Sequence, residues 1–159
     1  MATDPLRLRI IAALVAALRT NITGSDYHYP LQTPSVQVSD DPTTNVLTWN
    51  GYDLPLHVIE PTPDNLREFY PAMQVREEFN LNITSRVDVV DLADPGARMA
   101  AWERVAADVE RALGVDVTLG GLVYDVRVMP PRPFVGIGSP IVIVASPVSV
   151  RYHRTYGTP

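Results

Sequence analysis

Residues 73–89 read MQVREEFNLNITSRVDV, and the reading of this stretch decides the fold. Every even position is polar: Gln74, Arg76, Glu78, Asn80, Asn82, Thr84, Arg86 and Asp88. The odd positions Met73, Val75, Phe79, Leu81, Ile83, Val87 and Val89 are apolar, and only Glu77 and Ser85 interrupt them. A period of two over this length is one very long β-strand, or two strands of one face joined by a bend. Fully extended, the stretch reaches about 56 Å at about 3.3 Å per residue, whereas a compact domain of this size is about 40 Å across. The strand is therefore expected to bend sharply, at Glu77 or Ser85, or to project beyond its own domain. Projection would leave apolar residues for another subunit to cover, which points to an assembly component before it points to any chemistry.

On the N-terminal side, Asp4 and Pro5 form a cap-plus-proline helix start. Leu6, Ile10, Leu14 and Leu18, with Ile11 and Val15, then give a helical apolar stripe to about Arg19. Residues 21–56 are irregular and carry Pro30, Pro34, Pro42 and Pro55. Short strands fit at Ser35–Val38, Val46–Trp49 and Leu56–Ile59, and a helical turn at Asp64–Phe69. So long an irregular segment is unusual in a small domain and is commonly functional or interface-forming.

On the C-terminal side, Asp94-Pro95 repeats the helix start. The helix runs to about Leu113, with a stripe of Met99, Trp102, Val105 or Ala106, Val109 and Leu113, and with Gly114 as its stop. Arg98, Glu103, Arg104, Asp108, Glu110 and Arg111 occupy the opposite face. Gly120-Gly121 is a break. Leu122, Tyr124, Val126 and Val128 form a strand that Pro130-Pro131 and Pro133 end. Gly136 and Gly138 lie in the connection to the apolar run Ile141–Ala145, after which Val148, Val150 and Tyr152 resume alternation. The apolar parity shifts across Ser146-Pro147, as at a β-bulge. The two strands are expected to form a long antiparallel hairpin. The fold class that follows is α+β: a single domain over 1–159 with a loop insertion at about 21–56. Its antiparallel sheet has about four main strands, with two helices packed on one face.

The chain has 159 residues, a net charge of −5 and 46% hydrophobic residues. That is enough for a core, and the acidic balance argues against a general nucleic-acid or acidic-membrane binder. All 13 cationic side chains are arginine, each a planar fork able to make paired hydrogen bonds. There is no cysteine, which excludes disulfides and thiolate chemistry. Arg7 and Arg9 before the run Ile10–Leu18 resemble a signal peptide. Asp4-Pro5 and the lack of a small-residue cleavage site favour a retained amphipathic helix. No apolar run approaches a membrane span.

No catalytic constellation emerges. His28, His57 and His153 lie far apart in sequence and in no metal-ligand spacing. Asp88, Asp91 and Asp94 recur every third residue, which fits a solvated loop and helix cap better than a cation site. P-loop, dinucleotide-binding and nucleophile-elbow motifs are absent, and Gly136-Ile137-Gly138 lacks a third glycine. Tyr27, Tyr29, Trp49 and Tyr52 offer rings for stacking on a ligand or for pinning the irregular loop. Arg151 to Tyr156 is locally basic with interleaved aromatics, a weak nucleic-acid signal. No cofactor, metal or catalytic residue is expected.

Four segments together resemble the tail terminator (tail completion) proteins of long-tailed bacterial viruses. They are the helix Pro5–Arg19, the helix ending Asp108-Val109-Glu110-Arg111-Ala112-Leu113, the run Leu119–Val126, and the closing strand Pro147–Tyr152 followed by Gly157. The resemblance covers residues 94–159 best and 1–20 more weakly, and leaves 21–72 unmatched. It implies a structural virion protein of the tail or neck, assembled in the host cytoplasm and not an enzyme. Such a protein forms a ring, usually of six copies, that caps the tail tube, ends its polymerisation and joins it to the head–tail connector. Partners would be further copies, the tube protein and the connector, with genome DNA passing through the lumen without sequence-specific binding and with no membrane contact. The surfaces expected to make these contacts are the long strand, the loop Pro130–Pro140 and the loop Thr23–Pro55. Other neck, adaptor or minor tail proteins share this reading. A small ligand-binding α+β module would instead need a pocket of Tyr27, His28, Trp49 and His57.

Overall fold

The structure is a computed structural model and describes residues 5–31, 36–39, 54–71, 74–89, 94, 96–134 and 140–155. Two helices and seven strands follow in the order α1 (Leu6–Asn21), β1 (Val36–Val38), β2 (Leu56–Pro61), β3 (Leu66–Tyr70), β4 (Gln74–Asp88), α2 (Ala97–Gly114), β5 (Asp125–Val128), β6 (Arg132–Phe134) and β7 (Ile141–Thr155). The α+β class holds. The sheet is larger than expected and is mixed, because β1 runs parallel to β2. All other pairings are antiparallel.

The decisive stretch is one strand of 15 residues, and it neither breaks nor projects. β7 is equally long and pairs with β4 over its whole length, from Gln74↔Thr155 to Asp88↔Ile141. The odd-numbered side chains of β4 and the even-numbered side chains of β7 share one face. α1 and α2 cover it with Ile10, Leu14, Leu18, Val105, Val109, Ala112 and Leu113. The expected need for another subunit to cover this strand is thus overturned: Val75, Phe79, Leu81, Ile83 and Val87 are buried within the chain. A second strand of matching length resolves the apparent excess of reach.

Several expectations change for identifiable reasons. The longest pair is β4 with β7; the expected antiparallel hairpin forms as well, in two segments, with β5 paired to residues 148–151 of β7 and β6 to residues 143–145. Toward β4 there is no bulge at Ser146-Pro147, since the register runs unbroken through Asn82↔Pro147; on the other side of β7 the register slips by one, three residues (129–131) facing two (146–147) between Val128↔Val148 and Arg132↔Ala145. The shift in parity arises because residues 142–146 are buried on both faces of the sheet, so the sequence there loses its alternation. Residues 66–70 form strand β3 rather than a helical turn, paired with residues 74–78 of β4. β2 and β3 lie end to end along the same side of β4, separated by the turn at 62–65.

α1 carries the expected stripe. α2 buries Val105, Ala106, Val109 and Leu113 of the expected stripe and departs from it at two positions. Met99 is 61% exposed, while Asp108, assigned to the polar face, is buried. Asp94 is not the cap of α2: the N-cap is Gly96 with no side-chain cap, and Asp94 Oδ1 instead accepts from the Gly96 amide at 2.8 Å in the turn before the helix. Beyond α2, positive φ values at Gly120 and Gly121 turn the chain toward β5, as the glycine pair predicts. Asp116 closes this turn by accepting from the Thr118 and Gly120 amides. Asp4, Pro95, the strand expected at Val46–Trp49, Gly136 and Gly138 lie outside the described residues.

Candidate functional site

The two polar interruptions of β4 mark the two most unusual places in the sheet. Ser85 and Glu77 both point into the helix-covered face, and each meets a polar residue directly opposite on a neighbouring strand.

Ser85 faces His57 of β2, with Nδ1 and Oγ 2.8 Å apart. Both side chains are fully buried, and the His57 Nε2 has no hydrogen-bond partner among the described residues. Burial pushes the imidazole down to about 4, so the ring is neutral at pH 7. A serine beside a histidine is the core of a nucleophilic pair, but these groups are sealed from solvent and any substrate. Their role is to satisfy one another inside the sheet.

Glu77 is the centre of a larger cluster. Tyr152 of β7 stands directly opposite and donates its hydroxyl to Oε2. Arg154, on the same face of β7, brings Nε and Nη2 to Oε1 at 3.0 and 2.8 Å. Arg67 of β3, directly opposite on the other side, places Nε 2.8 Å from Oε1. Arg7, in the first turn of α1, donates through Nε to the Tyr152 hydroxyl at 3.0 Å and reaches Oε2 at 3.4 Å. Its guanidinium also lies over the Phe79 ring, 5.3 Å from the centroid.

Burial alone would push the Glu77 carboxyl up. The hydrogen bonds from Tyr152 and Arg154 and the charges of Arg154 and Arg67 outweigh it, and the carboxyl is held below the ordinary carboxylate range. Burial and the neighbouring carboxylate push Tyr152 up, so it remains a protonated donor. Three guanidiniums thus gather on one carboxylate in a chain that is acidic overall.

The remaining candidates are dispersed. His28 is exposed in the loop after α1, and His153 is exposed and stacks on Tyr124 at 6.0 Å. Asp88 and Asp94 are exposed, and Asp91 lies outside the described residues. No group of His, Asp and Glu that could hold a metal occurs among the described residues. Tyr27 lies beneath the Arg111 guanidinium, and the His28 and Tyr29 amides donate to the buried Asp108 carboxylate at 3.0 and 2.8 Å. These contacts pin the loop to α2, and His57 is in the sheet, so Tyr27 and His28 are not brought together with His57. Trp49, Tyr52 and Tyr156 lie outside the described residues.

On the opposite face of the sheet, an open groove of about 390 Å³ crosses β4, β7 and β5 between Glu78, Asn82, Arg127 and Arg151. Its charges are already paired in part, with Asp125 bound by Arg127 at 2.6 Å and Arg151 at 3.4 Å. Phe69 and Leu66 of β3 are 65% and 64% exposed, and all five residues of this strand are exposed. No helix among the described residues is long and apolar enough to cross a membrane. Compared with known proteins, the chain matches no family model and no curated protein.

Proposed function

We propose that the protein is a structural component of a viral tail that forms a ring, usually six-membered in proteins of this kind. In this reading the ring caps the tail tube, stops its growth and joins it to the head–tail connector. The observation that supports this reading best is β3. Among the described residues it pairs along one side only, with β4, and it presents Leu66 and Tyr70 to solvent. An exposed apolar edge strand invites pairing with another chain, and soluble proteins ordinarily blunt such edges. Addition of a neighbour along β3 would extend the sheet by main-chain hydrogen bonds and cover these side chains. Repeated head to tail, such a contact closes into a ring.

The mechanism in this reading is geometric. One ring face matches the end of the tube and the other presents a different surface, so no further tube subunit adds. The test is to add the pure protein to polymerising tube protein: shorter, capped tubes are expected, and an unchanged length distribution speaks against the reading.

A further inference from the structure

The bulge opposite Ser146-Pro147 adjoins a second cavity, between the sheet and α2. Residues 129–131 span the length that two residues cover on β7, so the chain bows away from its partner strand there. The cavity has a volume of about 250 Å³. That is room for about eight water-sized groups at ~30 Å³ each.

Ser146 lies at the base of this cavity. It is fully buried, and its Oγ has no hydrogen-bond partner among the described residues. The bulge itself has little to give it. Pro130 and Pro131 carry no N–H, and the Met129 amide already donates to the Pro147 carbonyl at 2.8 Å. A buried hydroxyl without a partner is costly, and native structures keep few of them.

α2 supplies the opposite side. Glu103, Ala106, Ala107 and Glu110 fall at the i, i+3, i+4, i+7 spacing of one helix face, and all four line the cavity. The two alanines make a shallow apolar strip with a carboxylate residue at each end. The Cα atoms of Glu103 and Glu110 stand about 10.5 Å apart at ~1.5 Å per residue. Neither carboxylate has an ion-pair partner among the described residues. Across from them, Val128 and the bulge residues Met129 to Pro131 give an apolar wall.

We infer that this cavity binds a linear aliphatic diamine or polyamine. Carboxylates so spaced, with apolar surface between them, suit two cationic groups joined by an apolar chain better than one compact ion. One ammonium meets Glu103 and another meets Glu110, while the methylenes between them lie along Ala106, Ala107 and the Met129 wall. Burial of the methylenes adds to ion pairs that would be weak at an open surface. An N–H turned inward gives the Ser146 oxygen the donor it lacks. The inference rests on α2 and the bulge and does not depend on the assembly reading.

The experiment is isothermal titration calorimetry of the full chain with putrescine and with spermidine at fixed pH and ionic strength. Two controls separate the contributions: n-butylamine keeps the methylenes with one charge, and magnesium chloride supplies a double charge without methylenes. Saturable binding of the polyamines, roughly tenfold or more tighter than either control, is expected. Glu103→Gln and Glu110→Gln, at exposed helix positions, each weaken it roughly three- to tenfold. Ser146→Ala weakens it as well without lowering the melting temperature, because it removes a hydroxyl that the fold leaves unpartnered. Asp64→Asn, at the groove on the opposite face of the sheet, leaves binding unchanged. Polyamine binding no tighter than that of butylamine or magnesium overturns the inference. So does a Glu103→Gln, Glu110→Gln double variant that is folded by circular dichroism and binds like wild type.

Discussion

Glu77 and Tyr152 stand directly opposite each other on β4 and β7, and the Tyr152 hydroxyl donates to the Glu77 carboxylate inside the helix-covered face of the sheet. The pair links the two longest strands at the point where α1 and β3 also arrive. A buried carboxylate is tolerated only when paired and hydrogen-bonded, and here four side chains do this. Glu77→Gln leaves the three guanidiniums facing a neutral amide and is expected to destabilise the fold by about 3–5 kcal/mol. Tyr152→Phe removes one donor and is expected to cost about 1.5–3 kcal/mol. Arg67→Ala, at a partly exposed and solvent-screened position, is expected to cost no more than about 1 kcal/mol. Urea unfolding of the three variants ranks them, and a smaller loss for Glu77→Gln than for Arg67→Ala contradicts the hub role.

His57 predicts a pH dependence whose sign is fixed by its environment. Its folded value of about 4 is below the ordinary histidine value of 6.5. Between these limits the unfolded chain binds the proton and the folded chain does not. Stability therefore falls as pH drops from 6.5 toward 4, by up to about 3 kcal/mol. Glu77 acts in a lower window: its contribution is full above the ordinary carboxylate value near 4.3 and is lost as pH falls through its lowered folded value. Urea midpoints measured from pH 7 to pH 4 test the first effect. The double variant His57→Leu with Ser85→Ala is expected to flatten the slope in that range.

The helix assignment for α1 makes a contrast between two leucines. Leu14 is fully buried against the sheet, and Leu8 is 56% exposed on the same helix. Leu14→Ala is expected to cost about 2–5 kcal/mol and Leu8→Ala under about 0.5 kcal/mol, read from thermal or urea unfolding. Equal losses contradict the packing of α1.

Alternation made β4 legible because only its apolar face needed burying for most of its length. It failed for β7, where residues 142–146 are covered on both faces and parity carries no information. It failed also for residues 66–70, a strand exposed throughout, which has no buried side to set a period. The exceptions at Glu77 and Ser85 were visible as exceptions, and a bend is the reading a single strand suggests. Their meaning depended on Tyr152 and His57, residues 75 positions later and 28 earlier, which no local pattern connects. Asp108 was misplaced for the same reason: its partners are backbone amides of His28 and Tyr29, 80 and 79 positions away.

Assembly through β3 predicts a separation of folding from association. Leu66→Lys and Tyr70→Lys change exposed positions on a strand that pairs only with β4 among the described strands, and each is expected to shift stability by under about 0.5 kcal/mol. Both are nonetheless expected to lower the assembled fraction, as charges do on sheet edges. Gel filtration beside circular dichroism checks this; folded variants that assemble like wild type contradict the role of β3.

The most direct measurement is the mass of the wild-type protein in solution by sedimentation equilibrium up to high concentration, alone and with tube or connector protein. A closed oligomer of defined size, six copies in the proposed reading, is the predicted result. A chain that stays at its 17.5 kDa monomer mass and binds neither partner contradicts the account.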